Sequence, residues 1–315
     1  MQEALTDQIR KVKTLEMSMI RALAYSEVFS YPLKMEELKL GMDVLCEDEN
    51  KLFAGLEELK TKNIVFEQEG FYSLSENMDL NNDRYKKNAR AKKYLRYAKT
   101  ISAFIGSFPF VRGVFISGSL TKNSMDVDGD IDYFIITEPK RLWLTRTLLI
   151  GFKKIFLFNS YKLFCLNYFL DKNNLEIEDR NLYLAHEIAT LIPTYGFQYC
   201  KEFMDSNQWI DTYLPNAEKR ELGQVKQHRI RGFKYLAEKM LDGRMGRFLD
   251  TKFRAISESY WSKKFKKGKD KSQRDYFISK EEISALHPDN FKLSVLKRYQ
   301  EILKVQEEKL NIQVN

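Results

Sequence analysis

Between residues 14 and 29, apolar side chains recur at Leu15, Met19, Ile20, Leu23, Ala24 and Val28, a spacing that predicts a helix with one buried face. Tyr31-Pro32 breaks it, because a residue before proline is pushed out of the helical region. Residues 35–42 predict a second short helix. Residues 48–62 predict a third, with Leu52, Phe53, Leu56 and Leu59 on its inner face. Residues 63–66 and 70–74 alternate about Glu69-Gly70, the pattern of two short strands around a turn. Residues 81–104 predict a basic helix with Tyr85, Tyr94, Leu95 and Ala98 as its buried stripe. A β-rich run follows at 111–117, and a second opens at Asp130. An apolar helix is expected over 139–158, a strand over 161–170 and a helix over 181–192. Further helices are expected over 217–241, 245–265 and 291–310. Between the last two lie a charged loop at 263–274 and a capped turn, where Ser279 is followed three residues on by Glu282.

Composition sets the scale. With 315 residues, 43% hydrophobic and 30% charged, the chain can bury a core and suits about two domains. The net charge of +8 points to an anionic partner, but it is unevenly spread. Residues 1–83 carry 9 basic and 17 acidic groups. Residues 84–218 carry 19 and 14, residues 219–274 carry 18 and 6, and residues 275–315 carry 6 and 7. The N-terminal portion is acidic, and the positive charge lies further along.

Cys46, Cys165 and Cys200 are too few and too scattered for a disulfide framework or a zinc site. The first residues lack the apolar core of a signal peptide. The most apolar stretch, 148–158, is short and broken by Lys153 and Lys154, so no membrane span and a cytoplasmic setting are expected.

The chemistry concentrates in GSLTKNSMDVDGDIDYFIIT. The run 111–117 leads into Gly118-Ser119. Ten residues later come Asp130 and Asp132, with a strand following. Residues two apart on a strand share a face, and adjacent carboxylates repel unless a cation lies between them. Gly118 allows a phosphate to approach the backbone, and Ser119 offers amide and hydroxyl donors. Few carboxylates together with substrate phosphate oxygens suit Mg2+ or Mn2+. An EF-hand opening at Asp126 fails, since Ile131 and Thr137 stand where Gly and Glu are needed. An acidic turn that holds no metal explains Asp126 and Asp128 but not the Gly-Ser spacing.

This string resembles the nucleotidyltransferase superfamily, whose fold is that of DNA polymerase beta. The match covers about residues 84–190. The wording AYSEVFSYPL…LKTKNIVFEQEGFYSL, within 14–76, is similar to a winged-helix segment fused to bacterial nucleotidyltransferase domains. The resemblance implies an α+β protein: a winged helix over 1–80, a nucleotidyltransferase α/β core over 81–205 and a helical C-terminal domain over 206–315. It implies metal-dependent transfer of a nucleoside monophosphate from an NTP to an acceptor, whether small molecule, protein or RNA. Asp130 and Asp132 would be catalytic metal ligands. Gly118, Ser119, Lys122 and Arg146 would bind nucleotide, with Arg141 as a further candidate.

The family's third acid should stand on the strand 161–170, whose interior has Asn167 instead. Asp171, Glu176 or Asn167 could complete the metal shell, or the fold could serve an inactive binding or regulatory protein. A DNA-binding regulator using the winged helix is the other alternative, although its third helix and approach carry Glu47, Asp48, Glu49, Glu57 and Glu58 against three lysines. His186-Glu187 are neighbours that face different ways on a helix, so no joint acid–base role is expected. His228 and His287 read as ordinary residues. Phe233, Tyr235, Phe248, Phe253, Tyr260 and Trp261 are expected in a core, or else as an RNA-binding stripe among basic residues.

Overall fold

The computed structural model describes residues 15–157, 162–218, 222–223, 225–227, 232–267, 278–285 and 289–314. They form a mixed assembly of helices and two sheets. The first unit contains α1 (Leu15–Glu27), β1 (Leu33–Lys34), α2 (Met35–Gly41), α3 (Glu49–Thr61), β2 (Phe66–Gln68) and β3 (Phe71–Ser73). Asp48 caps α3 by accepting the Asn50 amide. Glu69 and Gly70 both adopt positive φ, which closes the β2–β3 hairpin at the expected place. Strand β1 adds to this hairpin, giving the antiparallel order β1-β3-β2.

Met19, Ile20, Leu23, Leu38, Leu52, Leu56, Leu59 and Ile64 fill the core of this unit. Phe53 was expected there but is 53% exposed. Positions 52, 56 and 59 already define the inward stripe, and a neighbour of Leu52 turns about a quarter of the way round the helix.

An irregular turn, Leu80–Lys86, precedes α4 (Lys87–Ile105). Tyr85 falls in that turn. It is exposed and donates its hydroxyl to Glu69 at 2.7 Å, so it is not part of a buried stripe. Arg84, one of the basic residues of the helix expected over 81–104, is 1% exposed. It pairs with Glu37 at 2.9 Å, and its guanidinium lies over the rings of Tyr31 and Phe71.

The second sheet contains β4 (Val111–Ser117), β5 (Asp132–Thr137), β6 (Cys165–Asp171), β7 (Ile192–Tyr195), β8 (Ile278–Ser279) and β9 (Ile283–Ala285). Their order is β7-β4-β5-β6-β9-β8, and only β5 and β6 run parallel. Between β5 and β6 lies α5 (Leu142–Phe156), the crossover that a parallel pair requires. Helices α6 (Leu182–Thr190) and α7 (Phe197–Ser206) flank β7. Pro193 lies in β7 at the sheet edge, where a missing donor is tolerated.

Both faces of the sheet are covered. Val114, Ile116, Tyr133 and Ile135 pack with Ala98 of α4 and Trp143 and Leu149 of α5. Phe115, Phe134 and Ile136 pack with Ile188 of α6 and Phe203 of α7. Because strand side chains alternate, Asp132 shares parity with Phe134 and Ile136 and belongs to the α6 side.

Helices α8 (Gly232–Leu241), α9 (Arg244–Lys267) and α10 (Asp289–Val314) complete the chain. Of the helix expected over 217–241, the stretch Gly232–Leu241 is described as helical, while the described residues 217–218, 222–223 and 225–227 are not, and Lys226 bridges Tyr195 of β7. The expected capped turn at Ser279 is a hairpin instead. Ile278 and Ile283 favour strand, and the Ser279 hydroxyl donates to Glu258 at 2.8 Å. Strand β9 pairs with β6, and α10 returns to pack Tyr299, Ile302 and Leu303 against the N-terminal unit, so the C-terminal third touches both earlier parts.

The aromatic side chains of α8 and α9 depart most from expectation. Phe233, Tyr235, Phe248 and Tyr260 are 77%, 55%, 60% and 57% exposed, whereas Phe253 packs on the core. The buried face of α8 is formed by Lys234 and Glu238, one turn apart, and that of α9 includes Asp250. His228, His287 and residues 268–277 lie outside the described residues. Among the described residues, no helix is long and apolar enough to cross a membrane.

Candidate functional site

Strand β4 ends at Ser117, which pairs with Asp132 at the start of β5. Gly118 follows at φ +75°, and residues 119–122 form a single 3-10 turn. The Thr121 hydroxyl ties this turn down by donating to the Gly118 carbonyl at 2.8 Å. Leu120, Met125 and Ile131 bury their side chains in the core, and Arg90 donates to the Met125 carbonyl at 2.9 Å. Asp126 and Asp128 remain exposed on the outer part of the excursion, with Asp126 3.2 Å from Lys87.

Asp130 and Asp132 were expected to share one strand face. The regular strand begins at Asp132, so Asp130 stands on its approach. The two are nevertheless brought together, and Cys165 joins them. Ligand atoms of Asp130, Asp132 and Cys165 all lie within 4.8 Å of one another, and all three residues are half-buried. Parallel pairing explains the third member, because Cys165 opens β6 directly beside Asp132. These three residues could hold a metal ion.

The register of β5 and β6 then slips by one residue between Tyr133 and Phe134, leaving Asn167 as the extra position. Its amide nitrogen donates to Oδ1 of Asp132 at 3.2 Å. Asn167 thus meets the acid pair as a hydrogen-bond donor.

Burial raises the Asp132 carboxyl to about 7. The neighbouring Asp130 carboxylate pushes the same way, while a hydrogen bond from the Cys165 thiol opposes both. Burial, followed by the two aspartates, pushes the thiol itself well above its usual range. On α5, Lys153 is 5% exposed. Desolvation lowers its pKa, the field of Arg146 adds to that, and Cys165 and Asp130 counter it. Arg146 is also buried on α5 and lies 5.6 Å from the Trp143 ring centre.

Lys122, expected as a nucleotide contact, sits beside this group. Its ammonium pairs with Glu187 of α6 at 2.7 Å. The fields of Lys122 and Glu187 both reach Asp132 with opposite effect. Next along α6, the His186 ring stacks on Tyr25 at 3.7 Å, so the two neighbours do face different partners. The N-terminal unit reaches the same place, where Tyr31 donates its hydroxyl to the Lys122 carbonyl at 2.9 Å.

Other candidates are elsewhere. Asp171 pairs with Thr137 at the opposite end of β5 and β6 from Asp132 and Cys165, and it accepts from Asn173 and Asn174 in a turn. Glu176 is exposed and pairs with Arg180. Arg141 donates to the carbonyls of Leu241 and Gly243, holding the α8–α9 connection. A cavity of about 660 Å³ beside Tyr195 and Lys234 shares no lining residue with the acid group. There Lys234, pushed down to about 7 by burial, donates to the carbonyls of Gly106 and Val111.

Cys165 and Lys153 stand beside the acids without having been expected there, and Glu187 was expected only as a helix neighbour of His186. Cys165 was weighed only against disulfides and zinc, and it lies midway along the strand expected over 161–170, whereas the strand itself begins there. Lys153 was noted only as a break in an apolar run. A cation inside such a run was the signal, since a buried charge needs a partner.

Comparison with protein-family models, curated proteins and solved structures yields no match for this chain.

Proposed function

We propose that this protein is a metal-dependent nucleotidyltransferase. It joins an acceptor oxygen to the α-phosphorus of an NTP as the bond to pyrophosphate breaks. The reading rests most on one observation: Gly118 closes against Asp132 at the mouth of a turn, where Asp130, Asp132 and Cys165 converge. The donor set fits a divalent cation, because two adjacent half-buried carboxylates are unfavourable without one. Bound there with a triphosphate, Mg2+ or Mn2+ would neutralise charge on the leaving pyrophosphate.

The protein's own groups have separate tasks. Asp130 and Asp132 hold the cation, and Asn167 orients Asp132 through its amide. Gly118 and Ser119 offer backbone to the phosphates. Lys122 supplies a cation at the same mouth, with its direction set by Glu187. The acidic α3, whose Glu57 and Glu58 pair with Lys60 and Lys62, presents little that would attract DNA phosphates. The N-terminal unit is therefore read as a winged helix that braces the nucleotide loop through Tyr31.

A second reading, an inactive nucleotide-binding protein on the same fold, is favoured by Asn167 in the place of an interior acid. Incubation with each of four α-labelled NTPs and Mg2+ separates the two. Release of pyrophosphate with label transfer to an acceptor, lost in Asp130→Ala, supports the enzyme. Metal-dependent binding with neither product overturns it in favour of the inactive form.

A further inference from the structure

Cys165 stands where a carboxylate would be the natural ligand for a hard cation. We infer that its sulfur completes the cation site of Asp130 and Asp132, so that in the absence of nucleotide the site selects a thiophilic divalent ion of the Zn2+ class over Mg2+. This rests on the reading that the two aspartates hold a cation.

The three ligand atoms lie within 4.8 Å of one another. Zn2+ accepts oxygen and sulfur together in four-coordinate sites, whereas Mg2+ demands an octahedral oxygen shell. Binding of a cation there would displace the thiol proton, as at any thiolate ligand. Asn167 donates its amide to Asp132, as a group that braces a ligand does.

Charge balance agrees. Two carboxylates and a thiolate exceed a dication by one negative charge, and the buried Lys153 lies within electrostatic reach of both Cys165 and Asp130. The other two thiols are committed elsewhere: Cys46 to the Asp48 carbonyl and Cys200 to the Tyr195 carbonyl. Mg2+ would then enter this site only with a triphosphate, whose oxygens supply the shell that the protein lacks.

Co2+ tests this as a spectroscopic stand-in for Zn2+. Titration into the full chain is expected to give a near-ultraviolet thiolate-to-cobalt charge-transfer band that saturates at one equivalent and is bleached by Zn2+. The band should vanish in Cys165→Ser and in Asp130→Ala, and Zn2+ affinity should fall at least about tenfold in Cys165→Ser. Circular dichroism checks that each variant is folded.

Absence of a band in the wild-type protein, or its survival in folded Cys165→Ser, overturns the inference. Mg2+-dependent binding of a non-hydrolysable NTP analogue, measured alongside, keeps the two readings apart. If that binding persists and depends on Asp130 while no cobalt band forms, the sulfur ligand is wrong and the acid site stands. If neither occurs, both fall.

Discussion

A Cβ placed on Gly118 would lie 2.3 Å from Oδ2 of Asp132. The strand end and the acid are therefore packed to a tolerance that only glycine meets, at a φ of +75° that other residues rarely adopt. Gly118→Ala is expected to displace Asp132 and to abolish metal-dependent nucleotide binding while the fold survives. Calorimetric titration together with a melting curve checks both halves.

Asp132 should cost stability at neutral pH. Its folded carboxyl titrates near 7, mainly because of burial, while an unfolded aspartate titrates near about 3.9. Between those values the folded state holds a proton that the unfolded state has lost, so stability falls as pH rises through that window. Asp132→Asn is expected to raise the melting temperature at pH 8 and to change it little near pH 4. A gain that is equal at both pH values would contradict the assignment.

The C-terminal helices are held by charge. Glu238 accepts from Arg112 at 2.9 Å and from the Phe110 amide at 2.7 Å, and both side chains are nearly sealed from water. Glu238→Ala leaves the guanidinium paired with Glu138 at 2.6 Å but removes the acceptor of its two terminal nitrogens and of the Phe110 amide. The expected loss is about 1–3 kcal/mol in urea unfolding, the cost of buried donors left without an acceptor. A loss below about 1 kcal/mol would show that the pair is not a determinant of folding.

Lys122 pairs with Glu187 at 2.7 Å beside the proposed phosphate mouth. Lys122→Ala is expected to weaken NTP binding about tenfold at low salt, a deficit that shrinks as salt is added. Glu187→Gln should release the lysine and tighten NTP binding. Unchanged affinity in both variants would place Lys122 outside the site.

Much of this arrangement was legible in the chain. The spacing of Leu52, Leu56 and Leu59 marks the buried face of α3, and the alternation of β4 and β5 around GSLTKNSMDVDGDID gives two adjacent strands with the acids at their mouth. Local periodicity and turn chemistry carry that information. Cys165, Lys153 and Glu187 were not legible as a group, because they meet through the β5–β6 register and the packing of α5 and α6, contacts between residues distant in sequence. The exposed aromatics on α8 and α9 misled for a related reason. Helical spacing shows which residues share a face, but Lys234 and Glu238, satisfied by Gly106, Val111 and Arg112, decide which face is buried.

The central claim is that Asp130 and Asp132 hold a cation that binds a nucleoside triphosphate at Gly118. Isothermal titration of NTP into the full chain, with Mg2+ and with a chelator, tests it most directly. The account predicts saturable binding by the wild type that disappears with the chelator and in Asp130→Ala. Equal metal-dependent binding by the wild type and Asp130→Ala would contradict it.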